Sequence, residues 1–256
     1  YYTTGGRDYS YGPQKNTNRL LTTYLNYNKY LDSWKSNIDA TVGYDYQFWK
    51  STSPLYSELN TLGAVQSTSA ATDQRHALIS YYARLNYTFD SRYMLTATVR
   101  RDGTSRFNKD NRWGTFPSVA LAWRVSEEAF LKDNTVLSNL KLRASYGVTG
   151  QQDGIGNYNY LPVYTYSQTG AEVQFGNQFI NTYRPEAYVS DLKWETTTSW
   201  NAGFDFGFLK DRISGSFDFY TRKTEDLLAT VAAPAGSTFD KTILTNVGNV
   251  DSKGIE

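Results

Sequence analysis

The sequence predicts an all-β fold: a segment of an antiparallel up-and-down transmembrane β-barrel, supplying about eight to nine strands of a larger barrel. Three observations predict it. Extended runs alternate apolar and polar residues with a period of two. These runs are roughly 10 to 16 residues long, against about 5 to 6 for typical strands of soluble proteins. Short connections alternate with long ones. About 13 residues at about 3.3 Å each, tilted about 45°, climb about 30 Å, which is the thickness of a bilayer's hydrocarbon core.

The first run covers about Arg19 to Tyr30 and ends in a polar turn at Leu31, Asp32 and Ser33. The second, Asn37 to Phe48, alternates without error, with Ile38, Val42, Tyr44 and Phe48 on one face and Asp39, Thr41, Asp45 and Gln47 on the other. Trp49 to Gln74, rich in Ser, Thr, Leu and Ala, carries no strand pattern and reads as a long connection. A third strand, Arg75 to Phe89, sets Ile79, Tyr81 and Leu85 against Ser80, Arg84 and Asn86, and turns at Asp90, Ser91 and Arg92.

A fourth strand from Tyr93 to Arg100 gives way to a loop from Asp102 to Gly114, with Asp102-Gly103 as its turn signal. Pro117 opens the fifth, where a missing N–H is tolerated. Ser126 to Asn139 is a medium connection with a helical turn expected at Glu127 to Leu131. The sixth strand opposes Leu140, Leu142 and Ala144 to Lys141, Arg143 and Ser145; the longest irregular segment, about Gly150 to Asp191, follows it. The seventh runs from Trp194 to Phe208, turns at Leu209, Lys210 and Asp211, and meets an eighth beginning at Ile213. After a loop from about Lys223 to Thr242, the terminal NVGNVDSKGIE reads as the start of a ninth.

Composition narrows the function. The 26 basic and 25 acidic residues are interspersed, which argues against a polyanion-binding surface, so nucleic acid is not expected as a partner. Without cysteine there is no disulfide framework and no thiolate metal site. A mean hydropathy of −0.58 and the lack of any apolar run near 18 residues exclude a spanning helix. They do not exclude a barrel, whose strands need an apolar residue only at every second position. The 22 Tyr, 13 Phe and 6 Trp suit aromatic girdles at headgroup level, with membrane lipid as the partner of the apolar face. A soluble β-sandwich also alternates, and a Tyr-rich one would suit carbohydrate.

A lipid-facing Arg or Lys near the midplane costs about 2 to 4 kcal/mol, which assigns Arg84, Arg100, Lys141 and Arg143 to the lumen. Asp39, Asp45, Glu195, Asp205 and Asp218 share that face, a mixed-charge wall suited to water and polar solutes. Gly147, Gly203 and Gly207 lie there too, where they relieve crowding or ease a bend.

No catalytic group is expected. His76 is the single histidine and reads as a loop-edge residue. Asp39 and Asp45 lie about 20 Å apart along a strand, too far for a glycosidase pair. Glu127 and Glu128 read as solvated turn residues. Gly150, Gly154 and Gly156 lack the strand and helix of a phosphate loop and read as an external loop, where Asp153 and Asn157 match no EF-hand spacing. No cofactor is expected. Tyr158, Tyr160, Tyr164, Tyr166, Tyr183 and Tyr188 cluster in the long loops, where aromatic rings contact a sugar, a peptide or a lid, or pack on the loops themselves.

Several blocks resemble the barrel of SusC/RagA-type TonB-dependent outer-membrane transporters of Bacteroidetes. They are RDGTSRF (Arg101 to Phe107), RWGTFPSVALAWRVSEEAFL (Arg112 to Leu131), LSNLKLRASYGVTGQQDGIGNY (Leu137 to Tyr158), Asp191 to Leu228, and the terminal NVGNVDSKGIE. The blocks are long and in order, and cover about Arg75 to Glu256; the first 74 residues match by pattern only. The resemblance implies an outer-membrane location and a parent protein that imports oligosaccharides or peptides. It implies energy from TonB, a plug domain not read in these residues, and a SusD-like surface lipoprotein as lid. Both ends read as cut, so a piece of a longer chain is expected, forming wall and external loops. A passive porin-like or structural barrel, or a soluble glycan-binding β-sandwich, are the other readings.

Overall fold

The computed structural model describes residues 7–10, 14–60, 62–132, 134–166, 172–236 and 240–256, without the side chains of 7–10, Gln66 and Tyr166. Nine strands form one sheet: β2 (Lys15–Leu31), β3 (Ser36–Ser53), β6 (Thr72–Phe89), β7 (Tyr93–Thr104), β8 (Trp113–Arg124), β9 (Leu137–Gln151), β14 (Glu195–Phe208), β15 (Ile213–Glu225) and β18 (Asn249–Ile255). Each pairs antiparallel with the next in chain order. The remaining strands are short and decorate one end. They are β1 (Arg7–Ser10) with β4 (Tyr56–Leu59) and β5 (Val65–Ser69), β10 (Tyr164–Tyr166) with β13 (Tyr183–Pro185), β11 (Val173–Phe175) with β12 (Gln178–Ile180), and β16 (Leu228–Ala232) with β17 (Thr242–Asn246).

Several boundaries differ from the sequence reading. The stretch 49–74 is not patternless: β3 continues to Ser53, β4 and β5 form a hairpin, and β6 starts at Thr72. Polar residues fill those strands because they rise beyond any apolar phase, so alternation has nothing to select for. Asp102-Gly103 is not a turn but the end of β7, and the Trp113 ring lies over Gly103, where a Cβ would collide with it. Pro117 stands inside β8, not at its start. It is tolerated because pairing with β9 begins only at Ser118, leaving an edge beside the ring. The segment 150–191 holds four short strands, and the expected helical turn is a 3-10 turn at Val125–Glu127.

Short turns gather at one end. Leu209, Lys210 and Asp211 all have positive φ (54°, 59° and 58°), unusual outside glycine. Their backbone N–H groups compensate, Leu209 donating to the Val136 carbonyl (2.8 Å) and Lys210 to Ser138 Oγ (2.6 Å). The turns are also tied to each other: Asp90 N donates to the Lys35 carbonyl (2.7 Å) and Arg124 N to the Arg92 carbonyl (2.8 Å).

The opposite end holds the one cluster of buried apolar side chains among the described residues. Above the Ser118–Gly147 pair the sheet splits, because β8 continues only with β7 and β9 only with β14. Phe107, Phe116, Ile155, Leu192 and Trp194, all at most 9% exposed, gather there from both banks and the loops.

Candidate functional site

Register carries side-chain parity across the whole sheet, since directly paired residues share a face. Asp39 pairs with Asn86, Asp45 with Ser80, Arg84 with Thr98, Arg100 with Phe116, Lys141 with Asp205, and Arg143 and Asp218 each with Gly203. With Glu195 opposite Gln151, all nine charged residues singled out from the sequence stand on one face. The other face carries Leu25, Val42, Leu85, Val99, Leu121, Leu142, Phe204 and Phe217.

The polar face is organised by two arginines that reach across a strand. Arg100 on β7 passes over β6, donating from Nη2 to Ser80 Oγ (2.8 Å), and comes within 3.6 Å of Asp45 on β3 while its Nε binds Asp102 (2.8 Å). Arg143 on β9 binds Asp205 on β14 (2.9 Å) and, beyond it, Asp218 on β15 (2.9 Å). In both cases the crossed strand offers a small residue at the crossing, Ser80 or Gly203. A Cβ at Gly203 would collide with the Asp218 carboxylate. Lys141 stands 4.0 Å from Asp205, and Asp39 accepts from Asn26 Nδ2 (2.8 Å). The cations and carboxylates largely neutralise one another, so this wall offers hydrogen bonds without a strong field. Beside Arg143 a groove of about 320 Å³ runs over Ala120, Ala122, Ser145 and Asn201.

Glu195 lies at the loop end, where its Oε2 accepts from Leu228 N (3.0 Å) and fixes the root of the β16–β17 hairpin. Tyr158 is an anchor, its hydroxyl accepting from Arg75 N (3.2 Å). Tyr160 is half-buried, whereas Tyr164, Tyr183 and Tyr188 are exposed on the loops; the Tyr166 side chain lies outside the described residues. Arg106 reaches a loop carbonyl: it donates to Gln152 O (3.4 Å) and approaches His76 Nε2 (3.4 Å), whose ring stacks on Trp49 (4.4 Å). Trp194 Nε1 donates to Arg112 O (3.2 Å), joining the same loops around Phe107.

Glu128 was expected to be solvated and is not. Its carboxylate accepts from Tyr93 (2.6 Å), Trp123 Nε1 (2.9 Å) and Arg92 (2.8 Å). Those bonds, Tyr93's first and Trp123's next, hold its pKa below the usual carboxylate range, as the Arg92 guanidinium does for Asp90. The clamp sets the aromatic row Phe89, Tyr93 and Trp123 (centroids 6.0 and 6.2 Å apart) at the short-turn end of the apolar face. A second row, Tyr44, Tyr81 and Trp113 (5.2 and 6.1 Å), stands toward the other end. Two girdles bounding an apolar band are the signature of a spanning barrel wall. Sequence spacing missed Glu128 because its partners lie 35 and 5 residues away on two different strands.

Comparison with known proteins agrees with this geometry. The family described as "TonB dependent receptor-like, beta-barrel" matches residues 1–256. The TonB-dependent receptor SusC of Bacteroides thetaiotaomicron is 51% identical over 191 residues, covering 75% of this chain and 19% of that protein. TonB-dependent receptor P39 of Formosa agariphila is 36% identical, covering 91% of this chain and 23% of its own length. Among solved structures, the RagAB peptide transporter superposes with a TM-score of 0.80 at 25% identity, over 94% of this chain and 27% of that one. The chain thus spans about a fifth of the length of these curated relatives, which are receptors rather than enzymes. With its nine antiparallel strands, its two girdles and its ion-paired polar face, the chain belongs to the TonB-dependent receptor-like β-barrel family of the bacterial outer membrane, in its SusC/RagA branch.

Proposed function

We propose that this chain forms wall and external loops of a TonB-dependent outer-membrane importer of nutrients, oligosaccharides or peptides. In this reading the short turns face the periplasm and the long connections face outward. The polar face, with Asp39, Asp45, Arg84, Arg100, Lys141, Arg143, Asp205 and Asp218, lines the lumen, and Glu195 sits at its outer rim. The exposed Tyr164, Tyr183 and Tyr188 are the loop rings presented to substrate or to a SusD-like lipoprotein. The observation that carries the reading is the pair of arginine bridges at Ser80 and Gly203. They pair Arg100 and Arg143 with carboxylates across the polar face, which suits a wet wall and not a packed core.

This chain has no cysteine, so cysteines introduced into it, in a parent protein freed of any others, report on each face. Single cysteines at Ser145 and Asn201 of the parent protein react with a membrane-impermeant thiol reagent, while those at Ala144 and Ala202 do not. Equal labelling of all four rejects the face assignment. Uptake of labelled oligosaccharide or of labelled peptide is lost in cells lacking TonB; uptake that persists identifies a passive barrel.

A further inference from the structure

The lipid-facing side is not electrically symmetric. Across β2, β3, β6 and β7 its loop end carries Lys15, Arg19, Lys50, Arg75 and Arg101, against the single carboxylate of Asp73. At the short-turn end the same face of these strands carries Lys29. Asp73 is shared by Lys50 (3.4 Å) and Arg75 (2.5 Å). Among the described residues no carboxylate lies within ion-pair distance of Lys15, Arg19 or Arg101. Arg101 is exposed, with its guanidinium over the Trp113 ring (5.4 Å to the centroid), beside Tyr81 in the upper girdle.

Height decides what these cations meet. The row Leu31, Ser36, Phe89, Tyr93, Trp123 passes the lower turns at β2 to β7, yet β9, β14 and β15 continue below it, so rows climb toward β18. With about 3.3 Å per residue, about 4.8 Å per strand and a tilt of about 45°, Arg19 on β2 and Arg101 on β7 both stand about 28 Å above Leu31, the low end of that row. The two are level, and Arg101 is paired with Tyr81, itself paired with Tyr44, in the upper girdle, which places both at the far headgroup layer, where a lipid-facing cation costs little. An unpaired guanidinium there takes its counter-charge from outside the protein.

We propose that the belt carrying Arg19 and Arg101 binds the phosphate of outer-leaflet lipid headgroups, whose acyl chains lie on the apolar band below. A phosphate oxygen pair accepts the planar guanidinium fork, while Trp113 and Tyr81 hold the glycerol or sugar level of the headgroup. The inference rests on the outward orientation of the long loops, and not on transport. Lipid retention is read on solubilised protein, so a failed uptake assay leaves it standing.

The test uses the full-length parent protein, reconstituted in discs of equal phosphatidylglycerol and phosphatidylcholine, extracted in mild detergent, and its retained lipids counted by native mass spectrometry. Wild type and K29Q retain phosphatidylglycerol preferentially. Replacing Arg19→Gln and Arg101→Gln reduces retention by about fivefold per arginine, and Lys at both positions restores most of it. Equal retention in wild type and the double Gln variant overturns the proposal, as does an equal loss in K29Q. If inorganic phosphate strips the lipid as fully as the double substitution, the anion alone is the ligand and the lipid site fails.

Discussion

Arg143 and Asp218 lie on strands that do not pair with each other, and their side chains meet at 2.9 Å above Gly203 of the strand between them. The absence of a Cβ at Gly203 makes the crossing possible. Gly203→Val therefore separates the pair, and the pair, about a third exposed, is worth about 0.5 to 1 kcal/mol. Urea unfolding of the parent barrel in detergent checks this. Gly203→Val and Asp218→Ala each lower the midpoint, and the double variant adds no further pairing loss. Fully additive losses mean the contact contributes nothing.

The Glu128 clamp makes the short-turn end acid-sensitive. A carboxyl whose folded pKa is depressed contributes stability that is complete above its unfolded pKa, about 4.3, and lost as pH falls through the folded value. Acidification through that depressed folded value releases Trp123 and Tyr93. The wild-type minus Glu128→Gln difference in tryptophan emission should then be constant above pH 5 and vanish on acidification. No difference between the two proteins at neutral pH removes the carboxylate from the clamp.

The loop-end core predicts coupled order in segments far apart in sequence. Phe107 and Leu192 are fully buried, and Phe107 packs on Trp194 with centroids 5.5 Å apart. Phe107→Ala removes about 3 to 5 kcal/mol from that cluster. Surface proteolysis of intact cells should then cut both 105–112 and 152–194 faster while the strands stay protected. Cleavage confined to 105–112 would show that the two loops order independently.

Adjacent residues on one strand should differ sharply in tolerance. Leu121 faces the apolar side and Ala120 the polar side. Arginine at Leu121 costs about 2 to 4 kcal/mol and at Ala120 about 1 kcal/mol or less. Heat-modifiable migration of the two variants distinguishes them, and equal midpoints would contradict the face assignment.

Legibility in the sequence followed the physics of the solvent on each face. Where an apolar phase touches one side, as along Asn37 to Phe48, every second residue is constrained and the strand can be read directly. Where strands leave that phase, as at Ser51 and Thr72, both faces are polar and the pattern ends before the strand does. The six loop tyrosines are visible as a group, but nothing in their spacing separates the anchored Tyr158 from the exposed Tyr164 and Tyr188. The paired charges were all assigned to one face by parity, yet their partners were not, since parity does not reveal which rows meet.

The sequence by itself determined the nine strands of the large sheet, the two unlike faces and the membrane setting, because a period of two is written locally and read locally. Tertiary structure alone decided that Arg143 crosses Gly203, that Glu128 gathers Tyr93 and Trp123, and that Phe107 closes the split between β8 and β9. Those contacts depend on register between strands and on where the sheet opens. Register is a sum over many weak pairings, and no single segment of the chain contains it.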